Sequence, residues 1–372
     1  MELFQQEMAI NRFAIKPLVN KQYLFASLLF LSFFSLSYMQ PFTDIRLKKS
    51  NEDLQLLGRY LFYDTRLSYN QTKSCASCHD PFLAFSDGYR TAVGADGYAV
   101  RRNTPSILNA RYRSSFTWSD SSIRSFKQQL FFPFFNQHPK ELGWENEAAI
   151  LTRIKSIPGY VALFNTLFSK HIQPISLENI FFALTAFEES IVSHGSRYDA
   201  YLQGNKSVLS ANEKAGMQLF FSAKLNCGVC HIWDEKNKLI SPRFENTGLY
   251  NLGESGYYPP SDQGLFEITK NDFDMGKFRV PSLRNILLTA PYTHDGSVST
   301  LDEMIEIYAR GGRFIGVGEY KGDGSQNPYK SRLIKGFNIS KQEKQNLILF
   351  LNCFTDTAYL KNKKLLFVAL NK

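Results

Sequence analysis

The pattern Cys-x-x-Cys-His occurs twice in this chain, within SCASCH at 74–79 and NCGVCH at 226–231. Four of the five cysteines and two of the six histidines stand in those two places. A zinc ribbon requires its cysteine pairs close together, and Cys75 and Cys227 are far apart. A thioredoxin-like redox motif requires a βαβ setting, which the flanking sequence does not offer. Neither explains why a histidine follows both pairs at the same offset.

Cys-x-x-Cys-His is the attachment sequence of c-type haem. Its thiols bond to the porphyrin vinyl groups, and the adjacent imidazole turns to the iron as proximal ligand. Two motifs predict two covalently bound haem c groups, one on Cys75, Cys78 and His79, the other on Cys227, Cys230 and His231. Cys353, alone in the last helical stretch, reads as a small core residue.

The flanks are helical and partly duplicated. EDLQLLGRYLFYD sets Leu54, Leu57 and Leu61 on one face. LSANEKAGMQLFFSAK opens with Ser210-x-x-Glu213, a capping box ahead of an apolar run. Gly58-x-x-Leu61-Phe62 precedes the first cysteine motif and Gly216-x-x-Leu219-Phe220 the second, so a helix followed by Cys-x-x-Cys-His is repeated. SLENIFFALTAFEESIVSHG carries Ile180, Leu184, Phe187 and Ile191 at helical spacing and is expected to stop near Gly195. Thr300-x-x-Glu303 and Ser340-x-x-Glu343 open two further helices, the first ending at Gly311-Gly312. Residues 64–120 and 232–299 are rich in Gly, Pro, Asn, Asp and Ser and read as long loops, which need something to wrap. The fold class expected is mainly α, with one haem domain over 50–205 and another over 206–372.

Lys16 and Lys21 precede an uncharged run, Tyr23–Met39, in the outline of a secretory signal. The run also reaches the lower limit for a membrane span, so 1–45 reads as a cleaved signal peptide or an inner-membrane anchor. Either predicts export to the periplasm, in keeping with haem attachment outside the cytoplasm. A net charge of +9 favours acidic partners or anionic surfaces. No run of five or six Lys/Arg occurs, nor a basic stretch interleaved with aromatics, so nucleic acid is not an expected partner.

The chain resembles the bacterial dihaem cytochrome c peroxidase family, which includes the MauG enzymes. The resemblance covers roughly residues 50–360 and rests on LFYDTRLS, SCASCH, FSDG, RRNTPSILNA, GMQLFF, NCGVCH, FRVPSLRN, APYTHDG and YARGG, in that order. It implies two class I cytochrome c-like domains facing each other, the N-terminal haem reacting with peroxide and the C-terminal haem handling electrons.

Several roles follow from the resemblance. The family's peroxidases can plug the first iron with a histidine where this chain has Ala95, and no histidine lies between His79 and His138. The first iron is therefore expected to be open. Glu141 in HPKELGW matches the family's acid–base glutamate, although its segment is longer than usual; a solvated loop carboxylate is the plain alternative. Gln128 or Gln129 would add a second polar group there. Trp118 matches the tryptophan between the haems, with an ordinary core indole as the alternative. Asn103, Thr289 and Pro291 fall on the family's calcium site, and all-oxygen ligation suits one calcium ion. His294 resembles a histidine near the second haem's propionates.

Where the family's peroxidases carry a methionine on the second iron, this chain has Tyr308; Met304, one turn earlier, competes. Methionine raises a haem potential, whereas a phenolate lowers it, and tyrosine here is the MauG-like pattern. The leading expectation is an exported dihaem peroxidase that reduces hydrogen peroxide with electrons from a small donor such as cytochrome c. A MauG-like oxidase of protein side chains and a dihaem electron carrier are the alternatives. Homodimer formation stays open.

Overall fold

The computed structural model describes residues 42–231 and 239–370, and residues 47–372 form one compact unit. The run Tyr23–Met39 lies outside the described residues. Among the described residues no helix is long and apolar enough to cross a membrane.

The protein is mainly helical. Helices α1 (Phe42–Tyr63), α2 (Phe126–Phe135), α3 (Glu147–Lys155), α4 (Pro158–Leu167), α5 (Leu177–Ser190) and α6 (Arg197–Leu202) precede the second cysteine motif. There follow α7 (Ala211–Phe221), α8 (Cys227–His231), α9 (Phe266–Thr269), α10 (Leu301–Arg310) and α11 (Lys341–Asn352). The described strands are two residues long: β1 (Phe244–Glu245) pairs antiparallel with β2 (Phe278–Arg279), and β3 (Phe314–Ile315) with β4 (Gly322–Asp323). Residues 64–120 hold only 3-10 turns between loops.

The helix starts follow local chemistry. Ser210 with Glu213 and Ser340 with Glu343 form reciprocal capping boxes. At α10 the Thr300 side chain accepts from the Glu303 amide, while the Glu303 carboxylate turns to the Ser299 amide at 3.1 Å. Gly311 closes α10 in the left-handed conformation, φ +84°.

The duplication is structural. Gly58 of α1 meets α5 so closely that a Cβ would stand 1.9 Å from the Ala183 carbonyl oxygen and 2.8 Å from Phe187 Cβ. Gly216 of α7 meets α11 in the same way, 1.9 Å from the Asn346 oxygen and 2.9 Å from Phe350 Cβ. The match extends to PSILN and PSLRN. Asn109 and Asn285 both adopt φ +58°; the Asn109 amide donates to Ile191 O at 3.0 Å and the Asn285 amide to Phe354 O at 3.1 Å. These acceptors follow Phe187 and Phe350 by the same four residues. The Asn109 contacts also explain why α5 ends at Ser190 rather than near Gly195. The Ile191 carbonyl and the Ser193 backbone bond to Asn109 instead of continuing the helix.

Each repeat buries its own core. Leu57, Leu61, Phe62, Phe164 and Phe187 belong to the first cluster; Phe220, Leu347, Phe350 and Phe354 belong to the second, with Cys353 fully buried among them as expected. A third cluster gathers Trp118, Tyr250, Tyr258, Phe278 and Ile307. The C-terminal tail returns to the first core: Tyr359 donates to Pro81 O at 2.7 Å, and Leu365 O accepts from Tyr63 at 2.6 Å.

Candidate functional site

The first motif sits on a short 3-10 turn, Cys75–Ser77, opened by a Ser74–Ser77 capping box. The His79 amide donates to Cys75 O at 2.9 Å, which fixes the histidine beside the cysteine pair. Its ring Nδ1 lies 2.8 Å from the Phe85 carbonyl oxygen. A carbonyl only accepts, so Nδ1 carries the proton and Nε2 is left as the basic nitrogen, the arrangement of a metal-bound imidazole. Ala84 and Phe85 take left-handed backbone, φ +55° and +58°, to bring that carbonyl round. Burial lowers the His79 pKa and raises the Cys75 thiol, while burial and the Glu141 charge push Cys78 up to about 12.

The second motif repeats the device with a different carbonyl. His231 Nδ1 faces Pro281 O at 3.2 Å, and burial brings the ring pKa down to about 4. Cys227, Cys230 and His231 line a cavity of about 370 Å³ whose lining also includes Met304 and Tyr308 of α10. Burial, the neighbouring Cys227 and Cys230 and then Tyr258 hold the Tyr308 phenol above its ordinary pKa. Both candidate ligands therefore line the cavity that the second cysteine motif lines.

The surroundings of both motifs suit a haem. Cys75 packs on the first apolar core and Cys227 on the second, so each motif opens into its own hydrophobic centre. Two buried guanidiniums, Arg113 and Arg279, line the cavity at the second motif. Burial, with Arg279 nearby, depresses Arg113 well below the usual arginine range, and burial lowers Arg279 to about 10. Arg113 Nε is buried without a hydrogen-bond partner. A buried cation pair of this kind calls for anions, and the propionates of a haem would supply them. Arg279 lies within FRVPSLRN and Arg113 follows RRNTPSILNA, but nothing in the sequence shows that the two guanidiniums are buried together.

Glu141 stands near the first motif. Its charge acts on both Cys75 and Cys78, and burial raises its own pKa, with the Asn136 side chain opposing. The loop that carries it is braced by the residues around Ala95. The Ala95 amide lies 2.7 Å from Lys140 O and 3.1 Å from Glu141 O, while Asp96 accepts from the Lys140 amide at 2.8 Å. Thus VGADG, which occupies the place of the family's plugging histidine, supports the glutamate loop. Glu188 of α5 is a second buried carboxyl acting on Cys75, pushed up to about 8 by burial.

Gln128 does not join this group in the structure. It is exposed in the first turn of α2, and its Oε1 accepts from the Arg124 amide at 2.9 Å and from Ser125 Oγ at 3.2 Å. The helix start uses the side chain that a distal role would need. Gln129 beside it is partly buried.

Trp118, Asn103 and His294 form one linked set. The Trp118 indole Nε1 donates to Asn103 O at 2.8 Å, and the Asn103 amide donates to His294 O at 2.8 Å. Arg279 lies over the indole, its Cζ 5.7 Å from the ring centroid. His294 is buried, stacked on Phe278 with centroids 3.5 Å apart, and burial lowers its pKa to about 4. Asn103, Thr289 and Pro291 all line the same cavity. Asn103 Nδ2 donates to the Tyr89 and Arg90 carbonyls at 3.0 and 3.3 Å, which leaves Oδ1 as the donor atom for a cation.

A family model described as di-haem cytochrome c peroxidase matches residues 52–207. Methylamine utilization protein MauG of Methylorubrum extorquens is 31% identical over 299 residues, covering 79% of this chain and 76% of the relative. Cytochrome c551 peroxidase of Pseudomonas aeruginosa is 31% identical over 265 residues, covering 71% and 74%. Among solved structures, a MauG-like protein associated with microbial copper homeostasis aligns with TM-score 0.80 at 41% identity, covering 85% of this chain and 93% of that one.

Proposed function

The chain belongs to the di-haem cytochrome c peroxidase family, and on that premise we propose that it is an exported oxidoreductase reducing hydrogen peroxide at the pocket around His79. The two haem c groups, when bound, supply the iron centres that hold peroxide oxygen and exchange electrons. The enclosed Glu141 carboxyl beside the first cysteine motif carries the reading.

Peroxide reduction consumes two electrons and two protons and releases two waters. Glu141 accepts a proton from one peroxide oxygen and returns it to the other, which leaves as water. A raised pKa suits that exchange, because it makes the carboxylate a better base toward the first oxygen and keeps the acid form within reach nearer neutral pH. The Ala95 backbone holds the Glu141 loop, and the methyl of Ala95 brings no ligating atom to the first iron. His79, whose Nδ1 is held by Phe85 O, would hold the first haem iron through its remaining ring nitrogen. Electrons enter through the His231 pocket and pass by Trp118, whose ring is fixed by Asn103. A calcium ion on Asn103, Thr289 and Pro291 would hold this junction. On this reading the haem domains are 50–205 and 206–372, the location is periplasmic, and a small cytochrome is the donor.

A MauG-like oxidation of protein side chains is the second reading, favoured by Tyr308 facing Cys227 and Cys230. Steady-state consumption of peroxide with reduced cytochrome c tests the first. Rapid cytochrome oxidation supports it. Slow turnover with modification of a protein substrate favours the second, and an electron carrier would consume no peroxide.

A further inference from the structure

The third cluster holds a line of phenols that the peroxide chemistry above does not use. Tyr258, fully buried, lies within electrostatic reach of Tyr308 and has its ring centroid 6.3 Å from that of His294, a residue of the second pocket's wall. Tyr250 follows with its centroid 5.4 Å from Tyr258, and Tyr320 with its centroid 5.5 Å from Tyr250. Tyr320 is partly exposed, next to the exposed stretch 316–319. The line therefore runs from the second pocket to solvent.

The hydrogen bonds differ along it in a way that packing alone does not require. Tyr258 donates to the Asn246 amide oxygen at 2.8 Å and accepts from the Leu249 amide at 3.0 Å. An amide oxygen is a poor base, so Tyr258 keeps its proton and serves as a bridge. Tyr250 donates to the Asp295 carboxylate at 2.5 Å. An oxidised phenol is a strong acid, and a carboxylate already bonded to it can take the proton as the electron leaves. Arg313 stands over Tyr250, 4.4 Å from its centroid, anchored by Leu249 O at 3.0 Å and Ser297 Oγ at 2.7 Å. A fixed cation opposes a positively charged radical there, which makes proton transfer to Asp295 part of the oxidation.

We propose that Tyr258, Tyr250 and Tyr320 form a one-electron path from the second pocket to the surface, through which this protein oxidises a phenol presented at Tyr320. The proposal rests on the peroxide-reducing reading, since hydrogen peroxide is the oxidant. Tyr250 gives an electron inward across Tyr258, and its proton passes to Asp295 Oδ2. Tyr320 gives an electron to the Tyr250 radical, Asp295 returns the proton, and the Tyr320 proton leaves to water. The external phenol then restores Tyr320 with one electron and one proton and departs as a phenoxyl radical. Two such passages reduce one peroxide to two waters.

The test treats the full, haem-loaded protein with hydrogen peroxide and the spin trap 2-methyl-2-nitrosopropane, then maps adducts by peptide mass spectrometry. An adduct at Tyr320 is expected in the unmodified protein. Tyr250→Phe keeps the ring but removes the proton donor, and the adduct at Tyr320 should be lost. Tyr320→Phe, at a partly exposed site, should move the adduct back to Tyr250. Peroxide consumption with no adduct at Tyr320, or with the same adduct in Tyr250→Phe, overturns the path alone. A protein that consumes no peroxide overturns the underlying reading together with it.

Discussion

Trp118 hangs by its indole nitrogen from the backbone oxygen of Asn103, 2.8 Å away. The same Asn103 is a proposed calcium ligand and donates its own amide to His294 O. The tryptophan, the cation site and the wall of the second pocket are thus one mechanical unit.

Removing the cation should therefore disturb Trp118. Treatment with a calcium chelator is expected to change tryptophan fluorescence and to slow electron transfer between the two haems, with calcium but not magnesium restoring both. Calcium's tolerance of irregular all-oxygen sites predicts that preference. Unchanged fluorescence and transfer after verified removal would detach the site from the relay.

Glu141→Gln preserves shape and removes proton exchange. The rate of peroxide reaction should fall by about two orders of magnitude or more, the scale of general acid–base catalysis, with haem content unchanged. Because burial raises the Glu141 pKa, the carboxylate forms at a higher pH than it would for a glutamate in water. Activity should fall as pH drops through that raised value, and the Gln variant should lack that limb. Stopped-flow rates across pH measure both effects.

The second haem's ligand can be read from spectra. With Tyr308 bound, the protein should lack the sulfur-to-iron band near the red edge, and its second haem should have a low potential. Tyr308→Met should raise that potential, and Tyr308→Phe should open the site to added ligands. A methionine-type spectrum in the unmodified protein would transfer the role to Met304, which lines the same wall.

Haem stoichiometry tests the motifs directly. Protein matured in a host competent for c-type attachment should carry two covalent haems, and the double change Cys75→Ala, Cys78→Ala should leave one. The pyridine haemochrome assay counts them. A protein that binds zinc and lacks a Soret band would overturn the cofactor assignment.

Gly216→Ala should destabilise the second core. The added methyl would stand 1.9 Å from the Asn346 carbonyl oxygen, on backbone that cannot swing aside. Overpacking of this kind costs about 1–3 kcal/mol or more. Gln218→Ala, on the exposed side of the same helix, should stay within about 0.5 kcal/mol of the parent. Thermal unfolding of the pair isolates the clash from helix propensity.

The sequence by itself determined what depends on near neighbours. Cys-x-x-Cys-His needs only five consecutive residues to form its turn, and a capping box needs only four. Ser210 with Glu213 and Ser340 with Glu343 were legible for that reason, as was the apolar face of Leu54, Leu57 and Leu61. Gly58 and Gly216 marked a repeat in the text, but their purpose, admitting α5 and α11, appears only when the helices cross. Long-range partners were hidden. Nothing near His231 names Pro281 as its hydrogen-bond acceptor, and nothing near Tyr250 names Asp295. Gln128 looked free for a distal role until the start of α2 took its side chain. Burial raised Glu141 and Glu188 and depressed Arg113, and burial belongs to the packed chain as a whole. Local spacing fixes which chemical groups are present and how each turn begins. Tertiary packing alone decides which groups meet, because desolvation and hydrogen bonding act through space between residues that the sequence holds far apart.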